Sequence, residues 1–192
     1  MVQLILGSTS PRRASLLSQL GLPFEVLAPE VDETHFAAEK PVAYVTRMSN
    51  EKHAAVSNGL DSGSLIISAD TVVLIDDDIL GKPVNEQEGF SMLRRLSGTQ
   101  HRVLTSVTIG LPGDKNEQFV IETIVRFRTL ATIECEAYWR TGEPQDKAGG
   151  YGIQGVGAIF IESIQGSYTN VVGLPLTETA QVLRGFGISI LD

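Results

Sequence analysis

The stretch from Ser64 to Pro83 restricts the possible folds of this chain more than any other. It reads SLIISADTVVLIDDDILGKP and begins with a long run of apolar, β-branched residues. Such runs are typical of strands that are buried on both faces. The run contains a single carboxylate, Asp70, and burying a lone charge costs several kcal/mol. Asp70 must therefore pair with a cation, bind a metal or stay protonated.

The three aspartates that follow, Asp76 to Asp78, predict a turn, after which the chain returns to Gly81-Lys82-Pro83. A hairpin of this length would bring Lys82 back near Asp70. An acid with a lysine beside it is a suitable start for a site that binds a metal-bound phosphate. The alternative is a structural strand whose Asp70 caps a turn or pairs with a surface arginine. This stretch alone leaves both interpretations open.

A second candidate site lies near the N-terminus. Leu4-Ile5-Leu6 predicts a short buried strand, and a loop of small polar residues then leads to a helix that begins at Pro11. Backbone N–H groups at the helix start, the hydroxyls of Ser8 and Ser10 and the guanidinium of Arg13 would form an anion site. The spacing is not that of a Walker A loop. An ordinary capped helix with solvated arginines is the alternative.

Two further segments carry candidate chemistry. Glu30, Asp32 and Glu33 lie close together outside any predicted helix, and divalent cations prefer such carboxylate oxygens. A solvated acidic loop is the alternative. Lys147–Gly157 contains five glycines in nine positions, which would let the backbone approach a flat ligand closely. Gln154 within it offers a donor and an acceptor to the edge of a base, and a flexible loop is the alternative.

The remaining segments alternate between helix and strand patterns. Helices are predicted from Val42 to about Asn58, from Asn85 to Ser97, from Thr132 to Arg140, and from Pro175 to near Gly185. Strands are predicted at Phe24–Leu27, Val103–Leu111, Phe119–Phe127, Ala158–Ile164 and Ser167–Val172. This order of elements predicts an α/β fold with a mixed sheet.

Composition excludes several classes of function. Lys and Arg number 15 against 23 Asp and Glu, a net charge of −8 that argues against broad binding to nucleic acid polymers or anionic membranes. A local basic pocket for a small polyphosphate is compatible with this charge. Cys135 is the only cysteine, so no intramolecular disulfide forms, and a cytoplasmic location fits. We expect no signal peptide and no transmembrane helix.

Taken in order, these motifs resemble the Maf family of nucleoside triphosphate pyrophosphatases over nearly the whole chain. The resemblance is carried by Ser8–Arg13, Ala28–Thr34, Glu51-Lys52, Ser68–Thr71, Gly81–Pro83, Leu96–Gly98, Asp146–Gly155 and Gly166–Pro175. It implies a single domain over residues 1–192, with an elongated mixed β-sheet flanked by helices. It also implies two lobes with a central cleft, similar to the inosine triphosphate pyrophosphatase fold.

The resemblance implies hydrolysis of dTTP and UTP to the monophosphate and pyrophosphate, with Mg²⁺ or Mn²⁺, as house-cleaning of the nucleotide pool by a homodimer. Asp70 would be the general base and, with Glu33, a metal ligand. The remaining roles are phosphate binding by Ser8, Arg13, Lys52 and Lys82, and recognition of the base by Arg12, Thr71 and Gln154. The sister subgroup, which prefers 7-methyl-GTP, typically has tryptophan in place of Arg12 and glutamine in place of Thr71.

Two alternatives follow from the same family. Its link to arrest of septum formation allows a non-enzymatic regulator that acts by binding a partner. Such a module would not need Asp70, Lys52 and Lys82 together with the serine–arginine loop. A purine-specific inosine triphosphate pyrophosphatase is the other alternative, and it is disfavoured by the set Arg12, Thr71 and Gln154.

Overall fold

The computed structural model describes residues 2–191 and contains helices and one mixed sheet. The strands are β1 (Gln3–Gly7), β2 (Glu25–Leu27), β3 (Ser64–Ile75), β4 (Asp78–Leu80), β5 (Gln100–Gly110), β6 (Glu117–Phe127) and β7 (Ile161–Gln165). The helices are α1 (Pro11–Ser18), α2 (Pro41–Ser57), α3 (Glu86–Leu96), α4 (Thr132–Arg140), α5 (Tyr168–Val172) and α6 (Leu176–Gly185). Short 3₁₀ helices cover Glu143–Asp146, Ala148–Gly150 and Val156–Phe160.

The sheet contains seven strands in the order β2-β1-β3-β5-β6-β7, with β4 paired to β3. Strand β1 pairs in parallel with both β2 and β3, whereas β3–β4 and β6–β7 are antiparallel pairs. The prediction of a mixed α/β sheet flanked by helices is therefore confirmed, as is the hairpin after Asp70. Within residues 2–191, no helix is both long and apolar enough to cross a membrane.

The chain divides into two compact units. The first comprises the chain up to Asp70, Thr105–Ile121 and the chain from Gly173 onward. The second comprises Thr71–Leu104 and Glu122–Val172. Strand β3 therefore contributes to both units, and the division falls directly after its buried carboxylate.

In the first unit, buried polar bonds hold α2 against β5. The hydroxyl of Ser49, which is fully buried, is 2.8 Å from that of Ser106 and 3.0 Å from that of Thr108. One turn further on, a ring nitrogen of His53 is 3.3 Å from the carbonyl oxygen of Gly110. Because buried polar groups are costly when unpaired, these bonds fix how α2 sits on the sheet. They thereby fix the position of Lys52, which precedes His53 on the same helix.

The core of the second unit is rich in aromatic side chains. Phe127 and Tyr151 meet edge to face at 4.8 Å between ring centroids, and Tyr138 and Phe160 do so at 4.9 Å. His101 is buried among them, with Nε2 2.7 Å from the hydroxyl of Tyr151. Burial lowers the pKa of His101 to about 4, so this histidine is neutral at physiological pH.

Near the C-terminal end of the second unit, one strand prediction is right only from Ile161 onward and another is wrong. The predicted strand Ala158–Ile164 begins instead as the 3₁₀ helix Val156–Phe160, and only Ile161–Gln165 forms β7. The predicted strand Ser167–Val172 is the short helix α5. Its start is capped because the backbone N–H of Asn170 donates to the hydroxyl of Ser167, at 3.2 Å. Such local side-chain bonds compete with the extended conformation that β-branched residues favour.

Candidate active site

Adjacent parallel strands bring the two predicted sites of the first unit together. Strands β1 and β3 pair in parallel with Gly7 opposite Ser68. The loop that follows Gly7 therefore leaves the carboxyl end of β1 beside the part of β3 that contains Asp70, two residues beyond Ser68. Ligands commonly bind at this end in parallel α/β sheets. The register thus places the serine–arginine loop beside Asp70.

The serine–arginine loop is held together by its own side chains. The hydroxyl of Ser8, a buried residue, accepts hydrogen bonds from the backbone N–H of Ser10 and from Nη1 of Arg13, both at 3.2 Å. Nε of Arg13 donates to the carbonyl oxygen of Gly173 at 2.8 Å. Ser10 caps α1, as predicted, by accepting from the backbone N–H of Arg13 at 3.4 Å. The guanidinium thereby has a defined position beside the helix N-terminus.

The charge of Arg13 interacts with two carboxylates. Burial lowers the pKa of Arg13, while the nearby charges of Asp70 and Glu33 act in the opposite direction. An arginine does not lose its proton in proteins, so the guanidinium stays cationic. Arg12, the neighbouring residue in the first turn of α1, is half-buried, and its charge further lowers the pKa of Arg13. The loop therefore brings two cationic side chains to one helix N-terminus.

Two carboxylates of this unit share one ammonium group. Nζ of Lys52 lies 2.6 Å from Oδ1 of Asp70 and 2.6 Å from Oε1 of Glu33. Lys52 and Asp70 are buried, with 7% and 8% of their surfaces exposed, whereas half of the Glu33 side chain is exposed. Asp70 is therefore paired with a buried lysine of α2.

The geometry fits a divalent cation. Glu33 and Asp70 direct oxygen atoms at a single positive charge, which the ammonium of Lys52 supplies in this structure. Hard divalent ions such as Mg²⁺ prefer these oxygen ligands and often use only one or two carboxylates, completing their shells with water and phosphate oxygens. Residues 2–191 hold no cluster of three or more histidine, cysteine, aspartate or glutamate side chains suited to a metal.

The loop that carries Glu33 is bound to α2 by residues that the sequence analysis missed. The hydroxyl of Tyr44 donates to the carbonyl oxygen of Glu33 at 2.9 Å. Arg47 donates to the carbonyl oxygen of Thr34 at 3.0 Å and to both carboxylate oxygens of Glu39 at 2.7 Å. Tyr44 and Lys52 are eight residues apart, which places them on one face of a helix. That spacing was the signal available in the sequence.

The other predicted site residues lie in the second unit. Thr71 follows Asp70 on β3 and is half-buried, and Lys82 is an exposed residue two positions after β4. Gln154 is exposed on the glycine-rich segment Lys147–Gly157. This segment is joined to the turn that carries Lys82, because the backbone N–H of Gly149 donates to the carbonyl oxygen of Gly81 at 2.9 Å. The return of Lys82 toward Asp70 stays a prediction.

The glycines of the segment Lys147–Gly157 do not leave empty space. A Cβ atom added at Gly149 would lie 2.9 Å from Cγ1 of Val73, and one at Gly152 would lie 2.9 Å from Oε1 of Glu143. A Cβ at Gly155 would overlap the Glu143 carboxylate even more severely. The structure shows that packing within the unit requires glycine at these positions. The glycines are required because the backbone passes directly over side chains of the same unit.

Because of this crowding, we expect two glycine substitutions to lower the free energy of unfolding by different amounts. Gly149 and Gly142 both have a positive φ, of 71° and 77°, but a Cβ at Gly142 would meet nothing within 4 Å. We expect Gly142→Ala to lower the free energy of unfolding by about 1–2 kcal/mol, from backbone strain alone. Gly149→Ala should cost about 1–3 kcal/mol more, because Val73 is buried and β-branched and cannot move aside easily. Urea unfolding of both variants measures the difference, and equal costs would contradict the crowding.

The fold and these side chains define an α/β protein with a cationic loop at a helix N-terminus beside a carboxylate–lysine cluster. This combination is suited to binding phosphate esters and anhydrides. The chain belongs to the Maf family, since the family model described as "Maf-like protein" matches residues 3–186. The resemblance stated from the sequence motifs is therefore confirmed.

Several curated relatives are similar over almost their entire length. A protein of Pseudoalteromonas atlantica is 50% identical, with 97% of this chain and 98% of the relative covered. Proteins of Symbiobacterium thermophilum and Vibrio cholerae are 49% and 47% identical, covering 99% and 96% of this chain and 97% and 98% of the relatives. All three relatives are named dTTP/UTP pyrophosphatase.

Solved structures show a more distant likeness. The Ham1 protein of Staphylococcus aureus aligns with a TM-score of 0.46 at 10% identity, covering 65% of this chain and 71% of that protein. A HAM1 protein of Coxiella burnetii aligns with a TM-score of 0.45 at 10% identity, covering 66% and 73%. At this level of similarity the alignment says nothing about substrate.

Proposed function

We propose that this protein hydrolyses dTTP and UTP to the monophosphate and pyrophosphate with the help of a divalent cation. The observation that carries the proposal is the buried ammonium of Lys52, which is bonded to Asp70 and Glu33 beside the serine–arginine loop. The relatives that share about half of its sequence carry the name of this activity. A module that only binds a partner has no need for a buried cluster of this kind, since burying charges is costly.

In the proposed mechanism, Asp70 is the general base. Its carboxylate orients a water molecule and takes a proton from it as the oxygen attacks the α-phosphorus. The bond between that phosphorus and the oxygen bridging to the β-phosphate breaks, and pyrophosphate leaves with the electron pair. The ammonium of Lys52 offsets part of the cost of burying the Asp70 carboxylate. Catalysis of this type depends mainly on positioning and charge neutralisation.

The other site residues bind and select the nucleotide. We assign phosphate binding to Ser8, Arg13, Lys52 and Lys82, because hydroxyl and cationic groups are the usual partners of phosphate oxygens. Glu33 and Asp70 would hold a Mg²⁺ or Mn²⁺ ion. When bound, such an ion neutralises charge that develops on the phosphate oxygens. Recognition of the base is assigned to Arg12, Thr71 and Gln154.

A nucleotide panel tests the function. We expect pyrophosphate release with dTTP and UTP in the presence of Mg²⁺ or Mn²⁺, and loss of the activity when the metal is chelated. Purine triphosphates should be poorer substrates by a factor of about 10² or more in kcat/KM, because the wrong base edge leaves polar groups of the site unpaired. Preference for a guanine nucleotide over UTP and dTTP would overturn the proposed specificity.

Four further points are proposed on the family resemblance. The chain would work in the cytoplasm, form a homodimer, act as a single domain of two lobes and keep the nucleotide pool free of unwanted triphosphates. The runner-up, a non-enzymatic regulator of septum formation, has no observation in its favour. Absence of pyrophosphate release from all nucleotides of the panel with either metal would revive it.

A further inference from the structure

The carboxylate of Glu143 is the anchor of the glycine-rich segment Lys147–Gly157. Its Oε2 accepts a hydrogen bond from the backbone N–H of Val156 at 2.8 Å. Its Oε1 accepts from the backbone N–H of Gly157 at 3.1 Å and from the hydroxyl of Tyr138 at 2.8 Å. The carbonyl oxygen of Glu143 accepts from Nζ of Lys147 at 2.8 Å. One residue outside the segment thus binds both of its ends.

The same carboxylate explains the glycines of this segment. Gly152 and Gly155 pass so close to Glu143 that a Cβ atom at either position would collide with its carboxylate oxygens. A Cβ at Gly157 would lie 2.6 Å from the hydroxyl of Tyr138, which is itself bonded to Glu143. The backbone therefore wraps closely around the carboxylate group. A shorter or uncharged side chain at position 143 would leave the wrapped backbone without its partner.

Both carboxylate oxygens of Glu143 accept hydrogen bonds from the protein itself, which indicates a structural role. Burial by itself raises the pKa of Glu143, but the hydrogen bonds from Gly157, Tyr138 and Val156 outweigh burial and hold the pKa below the ordinary value of 4.5. The carboxylate is therefore ionised at neutral pH. Both oxygens already have donors, so the role that its geometry supports is to position other groups.

Gln154 lies in the middle of the anchored backbone. Two residues before it, the N–H of Gly152 donates to the hydroxyl of Tyr138 at 3.0 Å, and two residues after it, the N–H of Val156 donates to Glu143. The side chain of Gln154 is exposed, whereas the bonds to Glu143 and Tyr138 come from the backbone on either side of it. A side chain that is presented from a fixed backbone loses less freedom when it binds a ligand.

We propose that Glu143 is a positioning residue that fixes the backbone around Gln154 and thereby sets the selectivity for the pyrimidine base. The inference rests on the proposed function, in which Gln154 reads the base. It adds a residue that makes no contact with substrate and acts through the loop. Glu143 and Tyr138 together form the support, and the glycines make room for it.

Replacement of Glu143 by glutamine tests the proposal with nearly unchanged volume. The amide would put an N–H₂ group against the backbone N–H of either Val156 or Gly157, so one anchoring bond is lost. We expect kcat/KM for UTP to fall about 10-fold, mainly through KM, and the ratio of UTP to GTP turnover to fall by a similar factor. Glu162→Gln, an exposed glutamate of the same unit paired with Arg126 at the surface, is the matched control and should change neither.

A double-mutant cycle distinguishes an effect of Glu143 that acts through Gln154 from a general loss of stability. Gln154→Ala should remove most of the base selectivity, and Glu143→Gln combined with it should cause no further loss of selectivity. Should Glu143→Gln fail to fold, Tyr138→Phe removes a single hydroxyl from the network and keeps the ring that packs on Phe160. Selectivity that stays at the wild-type value in Glu143→Gln or Tyr138→Phe, while Gln154→Ala lowers it, would overturn the proposal.

Amide hydrogen exchange separates failure of this inference from failure of the proposed function. Exchange at Val156 and Gly157 should speed up at least 10-fold in Glu143→Gln and stay unchanged in Glu162→Gln, whatever the enzyme hydrolyses. Full base selectivity in Gln154→Ala would refute the role of Gln154 and, with it, the effect of Glu143 on selectivity. Unchanged exchange in Glu143→Gln would refute the anchoring itself.

Discussion

Replacing Asp70 with asparagine is expected to lower the rate of pyrophosphate release by a factor of about 10² to 10⁴ and to leave nucleotide binding largely intact. Asparagine has the same shape and can still accept a hydrogen bond from Nζ of Lys52, which lies 2.6 Å from Asp70. It cannot take a proton from water. The loss should therefore appear in kcat, while the dissociation constant of the nucleotide stays within a few-fold of that of the unmodified protein.

Single-turnover kinetics and calorimetric titration with a nonhydrolysable nucleotide measure the two quantities separately. Asp77→Asn is the matched control, because the side chain of Asp77 is 92% exposed and its pairing with Arg102 is a surface ion pair. The control should retain full turnover. Near-normal turnover in Asp70→Asn would remove Asp70 from the role of general base.

Replacing Lys52 with methionine is expected to reduce both activity and stability. The substitution removes the ammonium that lies 2.6 Å from Asp70 and from Glu33, and it leaves the buried carboxylate of Asp70 without the cation bonded to it at 2.6 Å. Loss of one partner from a buried ion pair costs about 3 kcal/mol or more, and we expect this loss in unfolding experiments without metal. We expect kcat/KM for UTP to fall by a factor of about 10², because a phosphate-binding cation is lost with the same side chain.

The same variant distinguishes competition from cooperation between Lys52 and the metal. The ammonium and a divalent ion would be attracted to the same two carboxylates, so removal of the lysine should strengthen metal binding. We therefore expect added Mg²⁺ to restore part of the lost stability, as any ligand of the folded state does. Lys115→Met, at an exposed lysine of the same unit, should show neither effect. Apparent Mg²⁺ affinity equal to that of the unmodified protein would contradict a shared site.

Strand β3 shows which features of the site a local sequence pattern can predict. A run of β-branched residues with one acid predicted a buried strand and a carboxylate that needs a cation, and β3 has these properties. The cation is Lys52, 18 residues earlier on α2, whose sequence neighbourhood resembles that of any solvated helical lysine. The pairing depends on how α2 packs on the sheet, and that packing follows from contacts such as those of Ser49 with Ser106.

The glycine-rich segment shows the opposite case. Its composition indicated room for a ligand, whereas Gly149, Gly152 and Gly155 are crowded by side chains of the same unit. Glu143 lies just before the segment in the sequence, and its role appears only when the segment folds back over it. The strand prediction for Ser167–Val172 is wrong because a local helix cap outweighed the strand preference of its residues.

By itself, the sequence determined the alternation of helices and strands, the buried strand with a single acid, the capped serine–arginine loop and membership of the Maf family. These features follow from short-range periodicity, local capping bonds and the order of motifs, all of which can be read along the chain. Only the tertiary structure decided that Lys52 joins Asp70 to Glu33, and that Glu143 supports the loop of Gln154. Ion pairs and hydrogen bonds act over about 3 Å in space, and separation along the chain does not determine which groups come that close.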